Sequence, residues 1–200
     1  MKKEYQKMIV ITAPSGAGKT SITRRLMKVF PQLSFSISAA TRQARSNEKN
    51  AEDYYFISVE DFQKKILNDE FVEWEMVYEG KYYGTLKSEL RRIWNTEQIP
   101  VLDIDVQGAI HVQKEYPVNS LFIFIKPPSV DELKRRLESR GSESPESLQA
   151  RVSKAAYELT FVNQFSNVVE NKDFETACNE AEKIVRDFIN LPTGRQVINS

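Results

Sequence analysis

The segment from residue 13 to residue 20 has the residue types that hold a nucleotide phosphate; it reads Ala13, Pro14, Ser15, Gly16, Ala17, Gly18, Lys19, Thr20. Gly16 and Gly18 permit tight backbone conformations, so that backbone N–H groups and a helix N-terminus can converge on a phosphate. Lys19 can then reach the β- and γ-phosphates, and the Thr20 hydroxyl can bind Mg²⁺. We therefore predict an ATP-binding loop of the Walker A type.

One position of this loop departs from the usual pattern. Ala13 stands where such loops normally have their first glycine. Alanine fits there only if the backbone has a negative φ or leaves room for a methyl group. Because every position expected to touch phosphate is intact, we predict that the variation is tolerated.

Two carboxylates are candidates for the acidic residue that accompanies Mg²⁺ at the end of a neighbouring strand. Asp103 and Asp105 lie in the apolar run 101–105, spaced so that both would point to one side of a strand. We take Asp103 as the first candidate, either directly or through water. The residue types alone do not decide between the two.

Short apolar runs and amphipathic helical patterns alternate along the chain and supply the elements that would position these residues. We predict strands at residues 8–12, 34–38, 101–105, 121–125 and 167–170. Helical spacing of apolar residues follows the predicted loop and recurs between residues 174 and 191. Strands that alternate with helices predict an α/β fold with a mainly parallel sheet.

Two regions interrupt that alternation. Residues 39–81 are polar and rich in tyrosine, which predicts a small β-rich insertion with one helix around residues 62–67. Residues 139–146 lack apolar anchors and are a candidate lid. The last residues, 193–200, are expected to fray.

Bulk composition excludes several classes of protein. The 200 residues contain 28 Lys plus Arg and 28 Asp plus Glu, and this balance argues against binding to nucleic acid or to an anionic membrane. No stretch approaches the roughly 20 apolar residues of a membrane span. The single cysteine, Cys178, fits a reducing compartment. We therefore expect a cytoplasmic protein of one compact domain, with its oligomeric state open and a homo-oligomer possible.

An ordered set of short motifs extends the phosphate-binding loop along most of the chain. The motifs occupy residues 13–20, 38–45, 52–56, 70–74, 82–85, 102–108, 127–129 and 136–141. Each is short, but together and in this order they are highly specific. On these motifs the chain resembles the guanylate kinases.

The resemblance implies a P-loop three-layer α/β fold with a central parallel sheet, a β-rich GMP-binding insertion and a short helical lid. The core would comprise residues 1–36, 93–135 and 155–192, with the insertion at about 37–92, the lid at about 136–154 and a disordered tail at 193–200. The implied reaction transfers the γ-phosphoryl group of MgATP to GMP, and to dGMP as well, giving ADP and GDP. The implied role is the recycling of GMP in purine nucleotide metabolism.

The resemblance also assigns roles to individual residues. The GMP phosphate would be bound by Arg42, Arg45, Tyr54 and Tyr83, since arginines and hydroxyls are good donors to phosphate. The guanine base would be read by Glu73, Ser38, Thr85 and Asp105. Catalysis would depend on Lys19, Arg42, Arg136, Arg140 and Arg151, and Asn171 would lie near the donor nucleotide.

Two other interpretations stay open on the sequence alone. A catalytically silent interaction module with a similar fold would be expected to lose Lys19 and the donor-phosphate positions, which this chain keeps. A kinase of a related phosphate ester, such as ribose 1,5-bisphosphate, would need the loop but not Glu73, Ser38 and Thr85 together. Retention of that whole set favours GMP.

Overall fold

The computed structural model describes residues 6–139 and 145–192. Its elements in chain order are β1 (Met8–Thr12), α1 (Lys19–Val29), β2 (Leu33–Phe35), β3 (Ala39–Ala40), β4 (Tyr55–Phe56), α2 (Val59–Leu67), β5 (Phe71–Tyr78), β6 (Lys81–Leu86), α3 (Lys87–Trp94), β7 (Ile99–Asp103), α4 (Val106–Glu115), β8 (Ser120–Lys126), α5 (Val130–Glu138), α6 (Pro145–Leu159), a 3₁₀ turn (Val162–Gln164), β9 (Asn167–Glu170) and α7 (Phe174–Asn190). The chain divides into two compact units. The first holds the residues up to Pro31 and from Asp103 onward, and the second holds Gln32–Leu102.

The first unit is built on parallel strands. β1 pairs with β8, from Met8 opposite Ser120 to Thr12 opposite Phe124, and β8 pairs in parallel with β9. Every residue of β1 is buried, as expected for a parallel strand covered on both faces. A separate apolar cluster of Leu133, Leu137 and Ala155 joins α5 to α6. This unit therefore carries the predicted phosphate-binding loop on a buried strand.

The second unit contains the parallel pair β2 and β7 and a four-stranded sheet in the order β4-β3-β6-β5. β5 and β6 form an antiparallel hairpin, and β3 pairs antiparallel with β6. Helix α2 packs on this sheet through Phe62, whose ring stacks on Phe71 at a centroid distance of 4.3 Å. Ala39 and Leu86 complete the buried cluster.

The alternation of strands with helices and the parallel pairing confirm the predicted α/β class. The strands predicted at 8–12, 121–125 and 167–170 are present, the middle one extended by a residue at each end. The strand predicted at 101–105 is instead Ile99–Asp103, so the prediction that Asp105 shares its face is wrong. The physical reason is that the Asp105 side chain accepts a hydrogen bond from the backbone N–H of Gly108 and thereby begins α4.

Several predicted features fall outside the described residues: Arg140, most of the candidate lid segment before α6, and the tail at 193–200. Within residues 6–139 and 145–192, no helix has an apolar stretch of the length that a bilayer requires. The start of α6 at Pro145 fits the tolerance of helices for proline in their first turn.

Candidate functional site

The phosphate-binding loop joins the buried strand β1 to helix α1 in the first unit. Gly16 has a φ of 91° and Gly18 a φ of 98°, a region that residues with a side chain rarely adopt. Gly18 is the N-cap of α1, and no side chain caps this helix. The first-turn N–H groups of α1 therefore have no capping side chain at the end where a phosphate would bind.

Ala13 has the backbone conformation that an alanine in this position requires. It is not among the described residues with positive φ, and only 5% of its surface is exposed. An alanine is therefore accommodated in this position without backbone strain.

Asn171 braces the loop from the end of β9. Its side-chain amide N–H donates to the backbone carbonyl of Ala17 at 2.7 Å, and its backbone carbonyl accepts from the Arg136 guanidinium at 3.0 Å. A Cβ atom added to Gly18 would lie only 2.2 Å from the Asn171 amide nitrogen. Glycine at position 18 is thus required both by its φ and by its neighbour.

Gly18→Ala is expected to be more destabilising than Gly80→Ala. The left-handed backbone alone costs alanine about 1–2 kcal/mol, and displacing Asn171 would break its bond to Ala17. The matched control is Gly80→Ala, since Gly80 has a φ of 69° and open space around its Cβ position. We expect the ATP KM to rise about tenfold in Gly18→Ala only. Equal losses of stability with unchanged ATP KM in both variants would contradict the bracing role.

Lys19 extends from the loop towards Asp103 and Ile104 of the same unit. Its ammonium contacts the Asp103 carboxylate at 2.6 Å and donates to the Ile104 carbonyl at 2.7 Å. Thr20 is exposed at the start of α1. A hydroxyl and a carboxylate are the hard oxygen ligands that Mg²⁺ prefers, so Thr20 and Asp103 fit the predicted metal.

Asp105 has a different environment from Asp103. Besides capping α4, its carboxylate lies 3.6 Å from the Lys154 ammonium. Lys154 also lies 3.7 Å from Glu158, a residue with only 3% of its surface exposed. Burial raises the pKa of the Glu158 carboxyl, Lys154 opposes this shift, and the Asp105 charge adds to it. The predicted guanine contact Asp105 thus belongs to a charged cluster of the first unit.

Of the predicted arginines Arg136, Arg140 and Arg151, one contacts the loop directly and one reaches it through Asn171. Arg151 of α6 donates to the Ser15 hydroxyl. Arg136 of α5 pairs with Glu132 at 2.8 Å, besides its bond to Asn171. The first unit therefore brings Arg136, Arg151 and Asn171 together with the loop, while Arg140 lies outside the described residues.

The predicted acceptor-phosphate residues come together in the second unit. The Arg42 guanidinium lies over the Tyr54 ring at 4.9 Å, and its Nε donates to the Tyr83 hydroxyl at 3.1 Å. The rings of Tyr54 and Tyr83 meet edge to face at 6.1 Å. Arg45 is exposed, with its backbone N–H bonded to Glu48. Arg42, Tyr54 and Tyr83 thus form one cluster of hydrogen-bonding side chains, with Arg45 at its edge.

A second polar group lies between the antiparallel strands β5 and β6. Thr85 pairs with Glu73 in register, and its hydroxyl donates to the Glu73 carboxylate at 2.7 Å. Both residues are buried, with 6% of Glu73 and 1% of Thr85 exposed. Ser38 immediately precedes Ala39, which pairs with Gly84, the residue before Thr85. A buried carboxylate held by a hydroxyl can accept hydrogen bonds from a donor-rich ligand edge.

Sequence reasoning missed two acidic residues that support these clusters. Glu48 pairs with both terminal nitrogens of Arg42. Glu89 is 2% exposed and accepts from the Ile37 backbone N–H, the Tyr55 hydroxyl and Arg92. Burial works against ionisation of Glu89, but these donors hold its pKa below the usual range. The i,i+3 spacing of Glu89 and Arg92 on α3 could have indicated that one pair, but no spacing pattern indicates Tyr55, Ile37 or the pair of Glu48 with Arg42.

Three comparisons with known proteins agree on one protein family. A sequence model of the guanylate kinase family matches residues 5–188. The chain is 42% identical to the guanylate kinase of Bacteroides fragilis, over 94% of this chain and 92% of that protein. It is 44% identical to the guanylate kinase of Porphyromonas gingivalis, over 92% of this chain and 98% of that one. Among solved structures, guanylate kinase from Anaplasma phagocytophilum superposes with a TM-score of 0.72 at 29% identity, over 94% of this chain and 88% of that chain.

Proposed function

The chain belongs to the guanylate kinase family, and on that premise we propose that it transfers the γ-phosphoryl group of MgATP to GMP with the two clusters described above. The observation that carries the proposal is the buried Glu73–Thr85 pair. Phosphate-binding loops serve many nucleotide-dependent enzymes, whereas a buried carboxylate held ready as an acceptor suits the N1–H and N2–H donors of guanine. Adenine presents an acceptor at the corresponding edge and would be repelled.

On the donor side, the loop backbone and Lys19 bind the β- and γ-phosphates of ATP. Mg²⁺, when bound, neutralises charge on these phosphates, and the Thr20 hydroxyl and the Asp103 carboxylate would hold it directly or through water. We assign this role to Asp103 because the Asp105 carboxylate already caps α4. Phosphate oxygens of ATP and water would supply the remaining ligands of the ion.

On the acceptor side, Arg42, Arg45, Tyr54 and Tyr83 bind the GMP phosphate. Its oxygen attacks the γ-phosphorus while the bond to the β-phosphate oxygen breaks. The nucleophile is already an anion, so no general base is needed and catalysis consists of positioning and charge stabilisation. Arg136, Arg140 and Arg151 would supply the positive charge around the transferred group, and Asn171 would lie near the donor nucleotide.

The base-reading set completes the proposed acceptor site: Ser38, Glu73, Thr85 and Asp105. None of the argued contacts needs the 2′-hydroxyl of the ribose, so dGMP is proposed as a second acceptor. We further propose that residues 37–92, approximately, form a GMP-binding insertion in the core and that residues 136–154, approximately, form a lid. The proposed location of the protein is the cytoplasm.

The test is a coupled assay of ADP formation from MgATP with one acceptor at a time: GMP, dGMP, AMP, CMP, UMP and ribose 1,5-bisphosphate. We expect ADP release with GMP and dGMP only. Turnover with ribose 1,5-bisphosphate alone would support phosphoryl transfer from ATP but contradict recognition of guanine by Glu73 and Thr85. A folded protein that binds GMP without any turnover would instead be an interaction module.

A further inference from the structure

Glu48 occupies the donor fork of Arg42. The terminal nitrogens of Arg42 contact the two carboxylate oxygens of Glu48 at 2.5 and 2.7 Å. This is the bidentate geometry that arginine also uses to bind phosphate. The residue proposed to bind the acceptor phosphate is therefore already engaged through one edge by an internal anion.

The same carboxylate also closes the turn that carries Arg45. The Arg45 backbone N–H donates to a Glu48 carboxylate oxygen at 2.8 Å, and the Glu48 N–H donates to the Arg45 carbonyl at 3.0 Å. Replacing this carboxylate by an incoming phosphate would break all of the bonds that the Glu48 side chain makes here. Hydrogen bonds from Arg42 and Arg45 hold the pKa of Glu48 at about 2, so the side chain is ionised at neutral pH.

The Nε–H of Arg42 points to Tyr83. Its Nε donates to the Tyr83 hydroxyl oxygen at 3.1 Å, while its flat face lies over Tyr54 at 4.9 Å and Phe56 at 5.4 Å. Because the hydroxyl oxygen accepts from Arg42, its own hydrogen must point away from the guanidinium. A hydroxyl that accepts from a cation is also a stronger donor in turn.

We propose that Glu48 is a positioning residue for the acceptor phosphate: it fixes the Arg42 guanidinium, which in turn directs the Tyr83 hydroxyl hydrogen towards that phosphate. Glu48 itself does not touch the substrate. The proposal rests on the proposed function, since it names a residue that organises the same acceptor site. It excludes the opposite role, in which Glu48 competes with GMP for Arg42.

The first test is Glu48→Gln, measured by initial rates. The glutamine amide would turn an N–H₂ group towards the N–H groups of Arg42 and so break the fork. We expect the KM for GMP to rise about tenfold or more, as for the loss of one charge-assisted hydrogen bond, and the KM for ATP to stay within about twofold. The matched control is Glu52→Gln, which makes the same change on an exposed pair with Lys49 at 3.2 Å in the same segment.

A fall in the KM for GMP in Glu48→Gln would overturn the proposal in favour of competition, and an unchanged KM would overturn it outright. The second test combines Glu48→Gln with Tyr83→Phe, with GMP binding measured calorimetrically. If Glu48 acts through Tyr83, loss of the hydroxyl should weaken GMP binding less in the Glu48→Gln background than in the wild type.

If the two substitutions change the dissociation constant for GMP by factors that simply multiply in the double variant, Glu48 does not act through Tyr83. This conclusion holds even if Glu48→Gln lowers the melting temperature. Failure of the wild type to turn over GMP would count against the proposed function. A wild type that turns over GMP while Glu48→Gln matches it would count against this inference alone.

Discussion

Lys19→Met is expected to lower kcat for ATP and GMP by about a thousandfold or more. The Lys19 ammonium is the only cation of the phosphate-binding loop, and it stands at the start of α1 where the phosphates would bind. Methionine has a similar length and no charge, so it removes the contact to the β- and γ-phosphates while filling the same space. Charge that develops during phosphoryl transfer would then lack its nearest fixed counter-charge.

The fold should survive this substitution. The Lys19 and Asp103 side chains are 20% and 13% exposed, so removing the ammonium from their ion pair should cost about 1–3 kcal/mol in the free energy of unfolding. Lys28→Met, an exposed position on the same helix, is the matched control and should keep wild-type turnover. Rates and thermal melting of the three proteins decide the matter. Near-normal turnover in Lys19→Met would contradict the assignment of residues 13–20 as the loop that binds the ATP phosphates.

The phosphate-binding loop could be predicted from the sequence because all of its parts are consecutive. A buried strand, two glycines and Gly-Lys-Thr at a helix start leave the backbone few alternatives. The structure adds the supports that come from distant parts of the chain, Asn171 beneath Gly18 and Arg151 at Ser15. The sequence suggested residues 171 and 151 only through family resemblance, because no local pattern specifies such contacts.

The position of Asp105 illustrates a limit of period-two reasoning. Spacing alone allowed Asp103 and Asp105 to share one face of a strand. A carboxylate that can cap a helix competes with strand extension, and here the bond from the Gly108 N–H to Asp105 at 2.9 Å ends the strand two residues earlier. Asp103 consequently contacts Lys19, and Asp105 faces Lys154.

The acidic partner of Arg42 was beyond prediction for a similar reason. Glu48 lies six residues from Arg42 in a segment without regular periodicity, so its direction depends on the turn at Arg45. Glu73 and Thr85 are also distant in sequence, but the hairpin register places them opposite each other. Register is a property of the sheet, and it turns two separate motif residues into one buried pair.

Glu73→Gln is expected to lower kcat/KM for GMP by about a hundredfold and to reduce the preference for GMP over AMP by a similar factor. A carboxylate can accept from both guanine donors, whereas glutamine offers one acceptor and one N–H₂ group that opposes a guanine N–H. The variant can still accept the Thr85 hydroxyl bond that Glu73 makes at 2.7 Å. The pair therefore remains satisfied, and the hairpin should stay folded.

The matched control is Glu79→Gln, which makes the same change at an exposed position of the same hairpin and should leave selectivity unchanged. Initial rates with GMP and AMP, together with thermal melting, separate two kinds of loss. An equal fall in turnover for both acceptors with a lower melting temperature would mean that Glu73 serves only the hairpin. Full GMP selectivity in Glu73→Gln would mean that the buried carboxylate does not face the base. A selective loss for GMP at constant stability is the outcome that a base-reading carboxylate requires, because only guanine presents the two donors that glutamine cannot both accept.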